Sequence, residues 1–170
     1  VFGADVDGDG DIDGMSASEY DDTIAWYENV NGDGSLWTRR VISTEANGAH
    51  SVFGADVDGD GDIDGMSASS NDGTIAWYEN VNGDGSLWTR RVISTEADGA
   101  RSVFGADVDG DGDIDGMSAS ILDDTIAWYE NVNGDGSLWT RRVISTAADG
   151  VVSVFGADVD GDGDIDGMSA

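Results

Sequence analysis

The sequence predicts an all-β protein built from tandem four-stranded antiparallel blades of β-propeller type, set in an incomplete ring of three and one third blades. Three observations predict it. The first is repetition: "VFGADVDGDGDIDGMSAS" begins at Val1, Val52 and Val103, and its first 17 residues return at Val154, a fixed period of 51. The second is that each unit holds four short β-branched or aromatic segments bounded by Gly, Asn and Asp clusters, with no proline and no helical period. The third is a gradient of side-chain size along the unit. Small residues come early and bulky ones late, as a sheet tapering from a crowded centre to a wide rim requires. A linear stack of the same sheets is the competing architecture.

The elements follow in order. The first strand is Val1–Val6, "VFGADV", and the second is Ile12–Ser18, "IDGMSAS"; both are rich in Gly, Ala and Ser. The third is Thr23–Asn29, "TIAWYEN", and the fourth is Leu36–Ser43, "LWTRRVIS", which carry Trp26, Tyr27, Trp37, Arg39 and Arg40. The turn between them, "NVNGDGS", holds the Asn-Gly and Asp-Gly pairs that accept positive φ. The units are then 1–51, 52–102 and 103–153, followed by a partial unit, 154–170, with the two inner strands only. Since propellers close with four to eight blades, the chain reads as a piece of a longer array or as one member of an assembly that self-associates.

Composition narrows the function. There are 36 acidic and 7 basic residues, all arginine, for a formal net charge of −29. Such a chain has little to offer nucleic acid or anionic membrane, whose phosphates are bound through basic groups. Disorder is the other reading of so much charge, but 39% apolar residues and six tryptophans are the content of a packed protein. With no cysteine, disulfide and thiol chemistry are excluded. No apolar run approaches the roughly 18 residues of a membrane span.

The densest charge lies in "DVDGDGDID", where Asp5, Asp7, Asp9, Asp11 and Asp13 occupy nine residues. The loop recurs as Asp56, Asp58, Asp60, Asp62 and Asp64, as Asp107, Asp109, Asp111, Asp113 and Asp115, and as Asp158, Asp160, Asp162, Asp164 and Asp166. Alternation throws the carboxylates toward one centre while the glycines permit a tight wrap. A hard cation taking six to eight oxygens suits this loop, and Ca²⁺ suits it better than Mg²⁺, which demands stricter octahedral geometry. The expected ligands are the carboxylates of Asp5, Asp7, Asp9 and Asp13 and the main-chain oxygen of Asp11. With no Cys and a single His, the chain offers zinc a poor donor set. An EF-hand would need a Glu where Ser16 stands. The alternative is a solvated acidic turn, strongly self-repelling when empty.

These residues resemble the FG-GAP or VCBS-type repeat of integrin α-chain propellers and of many secreted bacterial and fungal proteins. The matching pieces are Phe2-Gly3, the Asp-x-Asp-x-Asp-Gly-x-x-Asp loop from Asp5 to Asp13, and the small-residue strand after it. The resemblance implies a seven-bladed propeller with calcium between strands one and two, and an extracellular location. This chain departs from it in lacking a full set of blades. The family spans adhesion receptors, lectins and domains attached to enzymes, so it implies no single function.

Differences among the units fall in two places. "EYDD" (Glu19–Asp22) becomes "SNDG" (Ser70–Gly73) and "ILDD" (Ile121–Asp124); "EANGAH" (Glu45–His50) becomes "EADGAR" (Glu96–Arg101) and "AADGVV" (Ala147–Val152). Both segments follow even-numbered strands and so share one face, opposite the aspartate loops. Tyr20, His50, Asn71, Arg101, Ile121, Leu122 and Val152 are the candidate ligand contacts on that face, set against plain loop drift. Loop drift is weighed slightly ahead of a functional face, and the margin is narrow because the "NGDG" turn is also a surface loop and has not drifted.

Signs of catalysis are poor, and the chain reads as a non-enzyme. His50 occurs in one copy only, no lysine serves a phosphate loop, and "GMSAS" lacks the second glycine of a nucleophile elbow. The recurring Trp26 and Trp37 read as blade packing rather than sugar platforms. The expectation is a calcium-stabilised extracellular module for adhesion or for glycan or protein binding. The alternatives are a purely structural array and an accessory domain of a secreted enzyme.

Overall fold

The computed structural model describes all 170 residues, Val1–Ala170. Every regular element in it is a strand. The first sheet runs β1 (Phe2–Ala4), β2 (Asp13–Ser18), β3 (Thr23–Asn29) and β4 (Trp37–Ser43), each antiparallel to the next and in chain order. The second is β5 (Ala49–Ala55), β6 (Asp64–Ser69), β7 (Thr74–Asn80) and β8 (Trp88–Ser94). The third is β9 (Ala100–Ala106), β10 (Asp115–Ser120), β11 (Thr125–Asn131) and β12 (Trp139–Ser145). A two-stranded sheet, β13 (Val154–Ala157) with β14 (Asp166–Ser169), completes the description. The sheets are tandem and do not close into a barrel. Register is the same in each full blade, with Met15 opposite Trp26 and Ala17 opposite Ile24, and the fourth strand bulges at the same place, between Ile24 and Ala25 in the first.

Several strand limits differ from expectation: β1 is confined to Phe2–Ala4, and β2 and β4 begin one residue later, at Asp13 and Trp37. The first strands of the second and third blades start at Ala49 and Ala100, three residues ahead of the repeated word, and they end before Val57 and Val108. Pairing reaches back because β6 extends to Ser69 and presents backbone partners: Ala49 lies opposite Ser69, and Ser51 opposite Ala68. As a result His50 and Arg101 sit on strands rather than in loops.

The apolar side chains meet between sheets. One cluster joins Met15, Ile24 and Trp26 of the first blade to Ala49, Val52, Ala76 and Tyr78 of the second. Its successor joins Met66, Ile75 and Trp77 to Ala100, Val103, Ala127 and Tyr129. The inner strands β5 and β9 pack closely, while the outer strands of neighbouring blades barely meet, so the sheets fan outward from their first strands. Along the narrow side Phe2, Phe53, Phe104 and Phe155 form a ladder of tilted rings with centroids 4.5, 4.8 and 4.7 Å apart. Trp26 and Trp77 are fully buried at the junctions. The guanidinium of Arg40 lies 5.5 Å from the Trp26 ring centroid and its Nε donates to Glu28 at 2.8 Å.

Candidate metal centre

Each aspartate loop is held by its own backbone. In the first, Gly8 and Gly10 have φ of 73° and 94°, values that cost glycine nothing and other residues strain. Asp5 Oδ2 accepts the Gly10 N–H at 3.0 Å, and Asp9 Oδ1 accepts the Asp11 N–H at 2.9 Å. Asp13 is 2% exposed and ties the start of the loop to the end of β3: Oδ2 accepts the Val6 N–H at 3.0 Å and Oδ1 the Asn29 N–H at 2.8 Å. Asp64 and Asp115 repeat both bonds. Asp166, without a third strand beside it, keeps only the bond from Val159.

This folding brings together the first, third and ninth positions of every loop. Asp5, Asp7 and Asp13 each offer an oxygen, and these lie within 4.8 Å of one another; the same holds for Asp56, Asp58 and Asp64, for Asp107, Asp109 and Asp115, and for Asp158, Asp160 and Asp166. Asp9 and its counterparts Asp60, Asp111 and Asp162 fall outside the triads, each with an oxygen turned back onto the amide two residues on. The carboxylate of Asp11 leaves the loop centre and lies against Gly32 of the "NGDG" turn, where a Cβ would collide with it; Asp62 meets Gly83 and Asp113 meets Gly134 in the same way.

The triads concentrate negative charge, partly screened from water in the first three loops and open to it in the fourth. At 4.8 Å two carboxylates repel by about 1 kcal/mol in bulk water and about 3.5 kcal/mol at an effective dielectric of 20. Burial pushes the Asp64 carboxyl up to about 7 and that of Asp115 up to about 6, against the opposing pull of their amide donors. Asp7, Asp58 and Asp109 are raised as well, by desolvation first and then by neighbouring carboxylates. Asp5 Oδ1, Asp7 Oδ1 and Asp58 Oδ1 are buried and have no hydrogen-bond partner. A divalent cation fits this donor set: all hard oxygens, converging, with spare lone pairs and excess negative charge.

The "NGDG" turn, read from sequence as a plain hairpin, is a wall of this site and a clasp between blades. Asn80 is fully buried; its Nδ2 donates to Val6 O of the preceding blade at 2.9 Å and to Ile63 O at 3.3 Å, and its Oδ1 accepts the Gly85 N–H at 3.0 Å. Asn131 repeats the pattern with Val57, Ile114 and Gly136. Gly85 lies flat on the Trp26 ring of the preceding blade, with no room for a Cβ, and Gly136 on Trp77. The signal for these residues was present in the unvarying "ENVNGDG" of every unit.

On the opposite face the predicted contacts gather only in part. His50 Nε2 lies 2.9 Å from Arg101 Nη1 and 3.5 Å from Glu19 Oε1, which aligns three blades. Burial, and then Arg101, hold the His50 imidazole below its ordinary pKa. Tyr20 is almost fully exposed and Leu122 largely so. Asn71 Nδ2 donates to Asn47 Oδ1 at 3.1 Å, while Ile121 and Leu122 pack against Gly99. Val152 is half exposed and its N–H donates to Ala170 O at 2.8 Å. In the second and third blades the loop after the second strand thus touches the loop that closes the blade before it, so those variable segments are also junction contacts. None of the three clefts in the molecule opens there.

The profile of the FG-GAP-like repeat matches residues 5–67, 56–118 and 107–167. The chain belongs to the FG-GAP-like repeat family. Each FG-GAP-like match begins at the first aspartate of one loop and ends in the second strand of the next blade, so the family's unit contains a complete blade junction. No curated protein matches the chain.

Proposed function

We propose that this chain is a calcium-stabilised extracellular module of FG-GAP-like repeats that binds a protein or glycan and carries out no chemistry itself. The observation that carries the calcium reading is the aspartate triad repeated in every loop, joined in the first two by buried carboxylate oxygens without a hydrogen-bond partner, Asp5 Oδ1, Asp7 Oδ1 and Asp58 Oδ1. Asp5, Asp7 and Asp13 would supply the first ligands and the Asp11 carbonyl a further one; Asp9 would join through its second oxygen. Calcium at millimolar levels outside cells suits an open loop site of moderate affinity. Recognition would fall to the face opposite the loops, where Tyr20, His50, Asn71, Arg101, Ile121, Leu122 and Val152 differ from blade to blade. With no cleft on that face, the ligand would be an extended surface or a polymer rather than a small molecule.

A purely structural array is the second reading, and one observation favours it: the variable segments pair across blade junctions, so their differences can reflect local fit. Calorimetric titration with calcium and a glycan and protein array, both on the 170-residue chain, separate the readings. Calcium binding with no ligand at any concentration supports the structural array. The absence of calcium binding would sink both.

A further inference from the structure

The outer faces of the first blade and of the two-stranded sheet are uncovered forms of surfaces that are covered at three junctions inside the molecule. Inside, Phe2 and Met15 of the first blade lie over Gly54 and Gly65 of the second; a Cβ on Gly54 would stand 3.0 Å from the Phe2 ring, and one on Gly65 3.0 Å from Met15 Cε. Phe53 and Met66 cover Gly105 and Gly116 in the same way. Beside these glycines Tyr78 and Tyr129 are wholly buried. The first blade presents the same receiving surface, formed by Gly3, Gly14, Tyr27 and Trp37, with nothing on it. A Cβ on Gly14 would meet no atom within 4 Å, Trp37 is 47% exposed, and a cleft of about 450 Å³ lies open between Val1, Phe2, Gly14, Tyr27 and Trp37.

The inserting side chains are exposed at the other end. Phe155 and Met168 are the counterparts of Phe2 and Met15, and they are 51% and 41% exposed, whereas Met15, Met66 and Met117 are at most 1% exposed. We infer that these two faces dock between copies: Phe155 and Met168 of one chain seat over Gly3 and Gly14 of a second, continuing the phenylalanine ladder head to tail. The occupant is specified by the three interior junctions, the third with Phe104 and Met117 over Gly156 and Gly167, which pair the same residue types in the same places. The contact is heterologous, since each copy contributes one face of each kind, and it closes into a ring if the rotation permits. Two copies with four blade positions each would fill eight, the upper limit of the common propellers. The inference rests on the FG-GAP-like blade but not on its metal, which would lie at the loop end of each sheet.

Light scattering and sedimentation of the full chain, in 1 mM calcium and physiological salt, test it. The expected mass rises with concentration from the 17.6 kDa of one chain to that of two. Gly14→Leu has room within one copy but not under a docked Met168, and Met168→Asp removes the inserting side chain; each variant should remain at one-chain mass with an unchanged circular dichroism spectrum. An equimolar mixture of the two variants retains one intact junction and should form a 1:1 pair. Masses above two copies support open head-to-tail docking if both variants abolish them. A wild-type chain that stays monomeric up to millimolar concentration overturns the inference, as does a Gly14→Leu variant that associates like wild type, or a mixture that stays monomeric. The Gly14→Leu chain also allows the calcium reading to be judged alone, by its melting temperature with and without chelator.

Discussion

Asn80→Ala probes the clasp between blades most directly. The substitution removes the donor to Val6 O and Ile63 O and the acceptor for Gly85 N–H, and it strands main-chain groups at a buried junction. Leaving a buried polar group unsatisfied costs about 1–3 kcal/mol, so the two buried ones, Val6 O and Gly85 N–H, give a loss of about 2–6 kcal/mol. Asn29 is the built-in control. It makes the equivalent bonds to Ile12 O and Gly34 N, but has no preceding blade to reach, and Gly34 is open to water. Asn29→Ala should therefore cost only about 1 kcal/mol. With a urea dependence of about 2 kcal/mol/M for a chain of this size, the two variants should differ in midpoint by roughly 1 M. Tryptophan fluorescence during urea unfolding reads this at concentrations where the chain is monomeric, and Asn131→Ala should reproduce Asn80→Ala. If Asn29→Ala shifts the midpoint as far as Asn80→Ala, the bond across the junction contributes nothing and the reasoning fails.

Other outcomes are equally checkable. Chelation should lower the melting temperature and calcium restore it; for a loop with Kd on the order of 10 μM, 1 mM calcium stabilises by about 2.7 kcal/mol, and a melt indifferent to chelator would remove the metal from the account. In the metal-free protein Asp64 and Asp115 ionise near 7 and 6 instead of near 3.8, so the folded state holds protons that the unfolded chain has released between about pH 4 and 7. Its stability should fall as pH rises through that window, giving a higher melting temperature at pH 5 than at pH 7.5, and saturating calcium should reverse the order. Calorimetric titration of Asp7→Ala should show one loop's calcium lost. Asp11→Ala should keep the calcium, because its carboxylate lies against Gly32 and only its carbonyl is offered to the ion.

The period, the four strands and the aspartate loops were legible because each depends on a few adjacent residues: alternation for β3, glycine for the loop turns, the exact return of a word for the repeat. The features that escaped depend on residues well separated in the chain, from about 20 positions upward. That strand β5 begins at Ala49 follows from the length of β6, which no local pattern reveals. The bond from Asn80 to Val6 spans 74 positions. The constancy of "NGDG" invited comparison with the changing loops opposite, as though both were equally free to drift. They are not: Gly32 is pressed by Asp11 and Gly85 by Trp26, so that turn is fixed by packing and says nothing about selection on the other face. Variation at Asn71 and Leu122 likewise has local partners in Asn47 and Gly99. The changing face remains a reasonable place for a ligand, on weaker grounds than the sequence suggested.

Placing the large apolar side chains at junctions has a mechanical consequence. A single blade has no interior of its own, so its persistence is lent by its neighbours, and stability becomes a nearest-neighbour sum along the array. The middle blade is gripped on both sides. The two-stranded sheet is held on one side only, through Val151 and Val154 against Met117 and Ile126. Under load or heat such a molecule should loosen first at that end, and each further copy of the repeat would bring one more junction to be broken.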